Sequence, residues 1–114
     1  MLKGKVVLVP FPFDDLSTNK VRPAVCLTGP IGLHHHIVLA FISSQIPKDP
    51  LDTDIILESS QDDFAVTGLR VSSTLRLHRI MTISDEMIQR ELGELTPCMQ
   101  SEVSKRLKLL FELD

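Results

Sequence analysis

The chain has 114 residues, a length that suits one domain, 1–114, around a single core. Hydrophobic residues make up 43% and charged residues 24%, the balance of a globular protein and not of a disordered or fibrous one. A net charge of −3 excludes a surface coated in positive charge but leaves room for a local basic groove.

No apolar run is long enough to span a bilayer, so no membrane partner is expected. The start, Met1-Leu2-Lys3-Gly4, lacks the layout of a signal peptide, and a cytoplasmic location is the expectation. Cys26 and Cys98 lie far apart without metal-ligand spacing, which reads as two reduced structural thiols. Trp and Tyr are absent, so stacking on a nucleic-acid base would fall to Phe or Arg.

Gly4 to Val9 is a short β-branched run and reads as the first strand. Pro10-Phe11-Pro12-Phe13 closes it, since two prolines forbid a central strand. Asp14 to Lys20 is polar and turn-forming, an exposed loop. The second strand runs from Arg22 to about Thr28. Pro23 restricts Arg22 to an extended conformation, and the apolar run after it reads as buried on both faces. Gly29-Pro30-Ile31-Gly32 is a turn. His34-His35-His36 leads into a third, fully apolar strand, Ile37 to Ile42, which ends at Ser43-Ser44-Gln45.

Asp54 to Leu57 is a fourth strand. Thr67-Gly68-Leu69 is a turn. Val71 to Leu77 alternates in part and reads as a fifth strand, continued past a bend by Arg79 to Ile83. Ser84 is placed as an N-cap for a helix ending near Leu92, with Gly93 just past its end. Thr96-Pro97 opens a C-terminal helix whose stripe is Met99, Val103, Leu107, Leu110 and Phe111. Strands first and helices last point to an α+β domain with a small, strongly bent antiparallel sheet or barrel.

The three adjacent histidines suggest metal at first sight. On a strand His34 and His36 share a face and His35 does not, and only His78 is available to add to them. A polar turn at the start of a strand is the reading adopted for them, and no metal is assigned. Ser43 and Ser44 end a buried strand, where a hydroxyl either contacts a ligand or caps free backbone groups. No nucleophile-elbow motif surrounds them. Lys20, Arg22, Lys48, Arg70, Arg76 and Arg79 lie in loops or at strand edges. Converging, they would form a positive groove; singly, each is a solvated charge. Arg22 itself is either a surface charge ahead of a strand or an anion-binding group aimed by its proline.

The combination of Gly4-Lys5-Val6-Val7-Leu8-Val9-Pro10-Phe11-Pro12-Phe13, Arg22-Pro23-Ala24-Val25 and Ile42-Ser43-Ser44-Gln45 resembles the MazF/PemK (Kid-like) toxins of bacterial toxin–antitoxin systems. Thr67-Gly68-Leu69, Leu75-Arg76-Leu77, Met81-Thr82-Ile83 and Leu92-Gly93-Glu94-Leu95 extend the likeness over nearly the whole chain, in order. The resemblance implies an SH3-like antiparallel β-barrel with a C-terminal helix, and a homodimer. It implies an endoribonuclease that cuts single-stranded RNA without a metal or other cofactor, leaving 2′,3′-cyclic phosphate and 5′-hydroxyl ends. It also implies a cognate acidic antitoxin, through whose complex such toxins bind DNA.

Carried over by position, the resemblance makes Arg22 and Ser43 catalytic, with serine where the family usually has threonine. His78-Arg79 aligns with a family pair of an acidic residue and Gln, which makes His78 a candidate acid or base. Lys20, Gln45, Arg76 and Arg79 are the expected RNA-binding residues, and the loop from Phe11 to Lys20 a wall of the groove. The alternative is a non-catalytic binding protein of the same fold, like the related gyrase inhibitors or a decayed toxin, because fold does not dictate activity.

Overall fold

The structure, a computed structural model, describes residues 2–10 and 20–114. The expectations for the loop at 11–19, including its role as a groove wall, lie outside the described residues. The described residues form a six-stranded antiparallel sheet and one C-terminal helix. The strands are β1 (Lys5–Pro10), β2 (Val21–Cys26), β3 (His36–Ser43), β4 (Asp54–Leu57), β5 (Ser73–Ser84) and β6 (Arg90–Glu94), and the helix is α1 (Pro97–Leu110). Their order across the sheet is β4-β5-β3-β2-β1-β6, and the sheet curls into a half-barrel. The bent antiparallel sheet expected from the sequence is therefore present.

Two apolar clusters occupy the two faces of this sheet. Val6, Val25, Ala40, Ile42, Leu75 and Leu77 pack with Leu95, Met99 and Val103 on the helix side. Val7, Val9, Ala24, Cys26, Ile37, Leu39, Phe41 and Ile83 form the second cluster. Successive residues of a strand point to opposite faces, so burial on both sides demands unbroken apolar runs. That is why β2 and β3 lack hydrophobic–polar alternation. Cys26 is 1% exposed, and burial, with the Glu91 charge adding to it, pushes its thiol up to about 11. Both cysteines are free.

Several sequence expectations change. The helix placed over 85–92 is instead a single 3₁₀ turn, Asp85–Met87, followed by β6. Ser84 does cap that turn, its side chain accepting from the Glu86 amide. What overrides the helix is the open edge of β1, whose backbone groups need partners. Strand β6 supplies them, with Lys5 opposite Glu94 and Leu8 opposite Arg90, and Lys5 Nζ also reaches Glu91 (3.2 Å) and Glu94 (3.5 Å). Likewise α1 ends one residue early: Phe111 is its C-cap and is 57% exposed, not part of the buried stripe. At the other end Thr96 caps as expected, accepting from the Met99 amide at 3.2 Å, with Pro97 in the first turn. Val71 lies outside β5 and is exposed. Among the described residues no helix is long and apolar enough to cross a membrane.

Gly93 is thus a strand residue, and its reason is space. A Cβ there would collide with the Val66 carbonyl oxygen and come within 2.6 Å of the Thr67 carbonyl carbon. Facing it, Gly68 adopts φ 75° and would strike the Leu92 carbonyl group with any side chain. The 3₁₀ turn Ala65–Thr67 therefore sits directly on β6. Gly93→Ala is expected to lower stability by about 1–3 kcal/mol, as overpacking does. A urea midpoint unchanged from the parent would contradict this close approach.

Candidate functional site

The site is assembled where three strand ends meet. Strands β2 and β3 are antiparallel with Ala24 opposite Phe41. Arg22, two residues before Ala24, and Ser43, two residues after Phe41, therefore come to the same end of the pair. On the far side of β3, Ser43 lies opposite Thr74 of β5, and Arg76 follows two residues on. A depression of about 280 Å³ opens there, walled by Arg22, Phe41, Ile42, Ser43, Ser44, Gln45, Arg76 and Arg79.

Five of the seven predicted site residues thus share one cavity: Arg22, Ser43, Gln45, Arg76 and Arg79. Lys20 is exposed just before β2 and is not in this wall. His78 is exposed and is not in it either, although it stands between two residues that are. The cause is a register shift between β3 and β5. Ala40 pairs with Ile80 but Ile42 pairs with Leu75, which leaves extra β5 residues opposite Phe41. Such a bulge re-aims side chains. Here it brings Arg79 to the wall while Leu77 and Ile80 both keep to the helix-side core.

Local hydrogen bonds hold the polar side of the cavity. Ser43 Oγ accepts from the Gln45 amide at 3.1 Å, so its own proton remains available for donation to a ligand. Thr74, fully buried, donates from Oγ1 to the Gln45 carbonyl at 2.8 Å. The Ser43–Gln45 turn is therefore pinned from beneath by a hydroxyl that the sequence reading passed over. Arg22 Nη1 donates to the Val21 carbonyl at 3.2 Å, which turns the guanidinium back along its own strand. Arg76 Nε donates to Asp54 Oδ1 at 3.1 Å. Three guanidinium groups thus border one depression on a protein of net charge −3, and one of them, Arg76, is ion-paired with Asp54.

The histidine run sits elsewhere. His34 and His35 belong to the turn between β2 and β3, and His36 is the first residue of β3. His35 adopts φ 52°, and its Nδ1 lies 3.2 Å from Asp85 Oδ2. The rings of His34 and His36 are 5.9 Å apart. Among the described residues no group of three or more His, Cys, Asp or Glu side chains is arranged to hold a metal. The turn reading of this run is the one the geometry follows.

A curled antiparallel sheet backed by one helix, with an arginine-walled depression where strand ends meet, defines the class of domain. The chain belongs to the PemK-like, MazF-like family of toxins of type II toxin–antitoxin systems, whose family model matches residues 2–111. Among solved structures, it is similar to the toxin MazF-mt6 of Mycobacterium tuberculosis, at 20% identity and a TM-score of 0.73, covering 96% of this chain and 98% of that one. An endoribonuclease in complex with its cognate antitoxin from a mycobacterial species also has a TM-score of 0.73, at 16% identity, covering 100% and 97% of the two chains. MazE–MazF from Deinococcus radiodurans gives 0.71 at 18% identity, covering 98% and 95%. No curated protein matches the chain by sequence.

The pin under the Ser43–Gln45 turn is testable. Thr74→Val keeps the shape and deletes the donor, and a loss of about 1 kcal/mol in unfolding free energy is expected. Faster amide exchange at Gln45 should accompany it, and unaltered exchange would show that Thr74 does not hold the turn.

Proposed function

We propose that this protein is a toxin that cleaves single-stranded RNA endonucleolytically at short sequences, without a metal cofactor. The observation that carries the reading is that Arg22 and Ser43, from different strands, wall one cavity together with Arg76 and Arg79. A phosphodiester is the group such a wall suits. Guanidinium forks match phosphate oxygens in pairs, and a hydroxyl with a free proton adds a neutral donor. Phe41 and Ile42 complete the wall with apolar surface.

In this reading the ribose 2′-oxygen attacks the adjacent phosphorus as its proton leaves. The bond from phosphorus to the 5′-oxygen breaks, and that oxygen takes up a proton. The products are a 2′,3′-cyclic phosphate and a 5′-hydroxyl. Charge grows on the non-bridging oxygens during attack, and Arg22 is assigned to stabilise it. A preorganised donor of this kind contributes roughly 3–4 kcal/mol. Ser43 is assigned a hydrogen bond to the same phosphate. Gln45, Arg76 and Arg79 are assigned to hold flanking RNA, whose unstacked bases present edges to be read. Lys20, exposed at the start of β2, is assigned to the path of the strand outside the cavity. His78 is assigned a place outside the reacting centre, because the bulge leaves it off the wall.

The reading includes a homodimer and a cognate acidic antitoxin, with DNA binding only through the complex with that antitoxin. The antitoxin is supported by the mycobacterial endoribonuclease, which is described in complex with its own. An acidic, disordered antitoxin segment would offer the cavity carboxylates in place of phosphates.

The test is incubation of purified protein with a long RNA in EDTA. Defined fragments ending in cyclic phosphate are expected. Arg22→Ala should cut about 10²–10³-fold more slowly, and cells should tolerate its expression where the parent arrests growth. His78→Ala should cut like the parent. Equal cleavage by the parent and Arg22→Ala would overturn the assignment of Arg22. Intact RNA with retained binding would identify a binding module of the same fold.

A further inference from the structure

Among the described residues Asp54 is the one buried acidic residue, and it is not in the cavity wall. It opens β4 directly opposite Arg76 of β5, and its side chain is 0% exposed. Both carboxylate oxygens are engaged: Oδ1 accepts from Arg76 Nε at 3.1 Å and Oδ2 from the Leu51 amide at 2.8 Å. Taking a carboxylate out of water is costly, and a hydrophobic pair of similar volume would often stabilise the fold as well or better. A buried ion pair at the head of an apolar strand therefore calls for a reason beyond stability.

The reason lies in which nitrogen Asp54 takes. A guanidinium has five N–H donors in a fixed plane, one on Nε and four on the terminal nitrogens. Asp54 occupies Nε from behind. Among the described residues no hydrogen bond uses the terminal nitrogens of Arg76, and the residue borders the depression shared with Arg22 and Ser43. The planar group is thus held at Nε, and its terminal nitrogens are left for a ligand in the depression that Arg76 lines. Lysine, a single point charge on a flexible stem, could not be held and presented in this way. The carboxylate is itself fixed by the Leu51 amide, and the same loop is tied to α1 by a hydrogen bond from Arg106 to the Asp52 carbonyl.

We infer that Asp54 is a positioning residue, which orients Arg76 so that its terminal nitrogens bind a phosphate group of the nucleic acid in the cavity. The inference rests on the reading of that cavity as a phosphodiester site. Asp54 touches no substrate; it acts through Arg76. Arginine left unheld must lose side-chain freedom on binding, so flanking RNA is held less firmly and the reacting phosphate is less well placed.

The experiment is a double-mutant cycle of Asp54→Asn, Arg76→Gln and the double variant. Each is assayed for kcat and KM on RNA, and for binding of a 2′-O-methyl RNA that cannot be cut, with activity normalised to the folded fraction from thermal unfolding. Asp54→Asn should lower kcat/KM by about ten- to a hundredfold, and should cause no further loss when Arg76 is already Gln. Losses that multiply, or an Asp54→Asn protein that is less stable but cuts normally per folded molecule, would overturn the inference.

A direct readout accompanies the cycle and does not depend on activity: the Arg76 Nε–H resonance, assigned by its loss in Arg76→Gln. In the parent it should exchange slowly with water. Fast exchange overturns the inference, even if Asp54→Asn proves unable to fold. Parent protein that cuts no RNA overturns the nuclease reading alone. Binding of the 2′-O-methyl RNA then judges Asp54, with weaker binding by Asp54→Asn in support and equal binding against.

Discussion

Strands β3 and β5 pair from His36 opposite Ser84 at one end to Ser43 opposite Thr74 at the other, with one register shift between. Nearly everything at the site depends on that ladder. Its far end puts Thr74 under the Gln45 carbonyl and so fixes the turn that carries Ser43. Its shift brings Arg79 to the cavity. Its continuation pairs Arg76 with Asp54 on the next strand. A uniform ladder would supply the same residues with different directions, since one step of register exchanges the two faces of a strand.

The central strands carry a second burden. With apolar clusters on both faces, β1, β2 and β3 have almost no polar surface to spare, so chemistry is confined to strand ends and to β5. Strand ends suit this role. They are held by the ladder on one side and open on the other, which gives rigid placement without burial of the working group. Arg22 and Ser43 both occupy such positions, one at the start of β2 and one at the end of β3. The overall negative charge does not oppose a cationic site of this size, because fields at a concave wall are set by the nearest groups and distant ones are screened.

The two edges of the sheet are short strands, of which β4 reads as a strand in the sequence and β6 does not. Strand β4 has four residues, and β6 contains Gly93. Neither has the long β-branched run of the centre. The glycine pair Gly68 and Gly93 lets the 3₁₀ turn press onto β6, so the edge is covered by backbone against backbone.

The unbroken apolar runs of β2 and β3, the Thr96-Pro97 helix start and the proline after Arg22 were legible from residue order alone, because each acts over a few neighbours. So was the pairing of Arg22 with Ser43 as a candidate site, once the family pattern around them was considered. Strand β6 was not legible. Ser84, Asp85, Glu86 and Gly93 are local helix signals, and only the unfilled edge of β1, distant in sequence, outweighs them. The separation of His78 from Arg79 was equally hidden, since alternation cannot foresee a bulge. Nor does any spacing announce that Asp54 lies behind Arg76, because cross-strand register is set by how the whole sheet packs. Residue order determined which cationic and hydroxyl groups this protein carries at its strand ends; the tertiary structure alone decided which of them face one cavity, because direction in a sheet is a property of pairing and not of sequence.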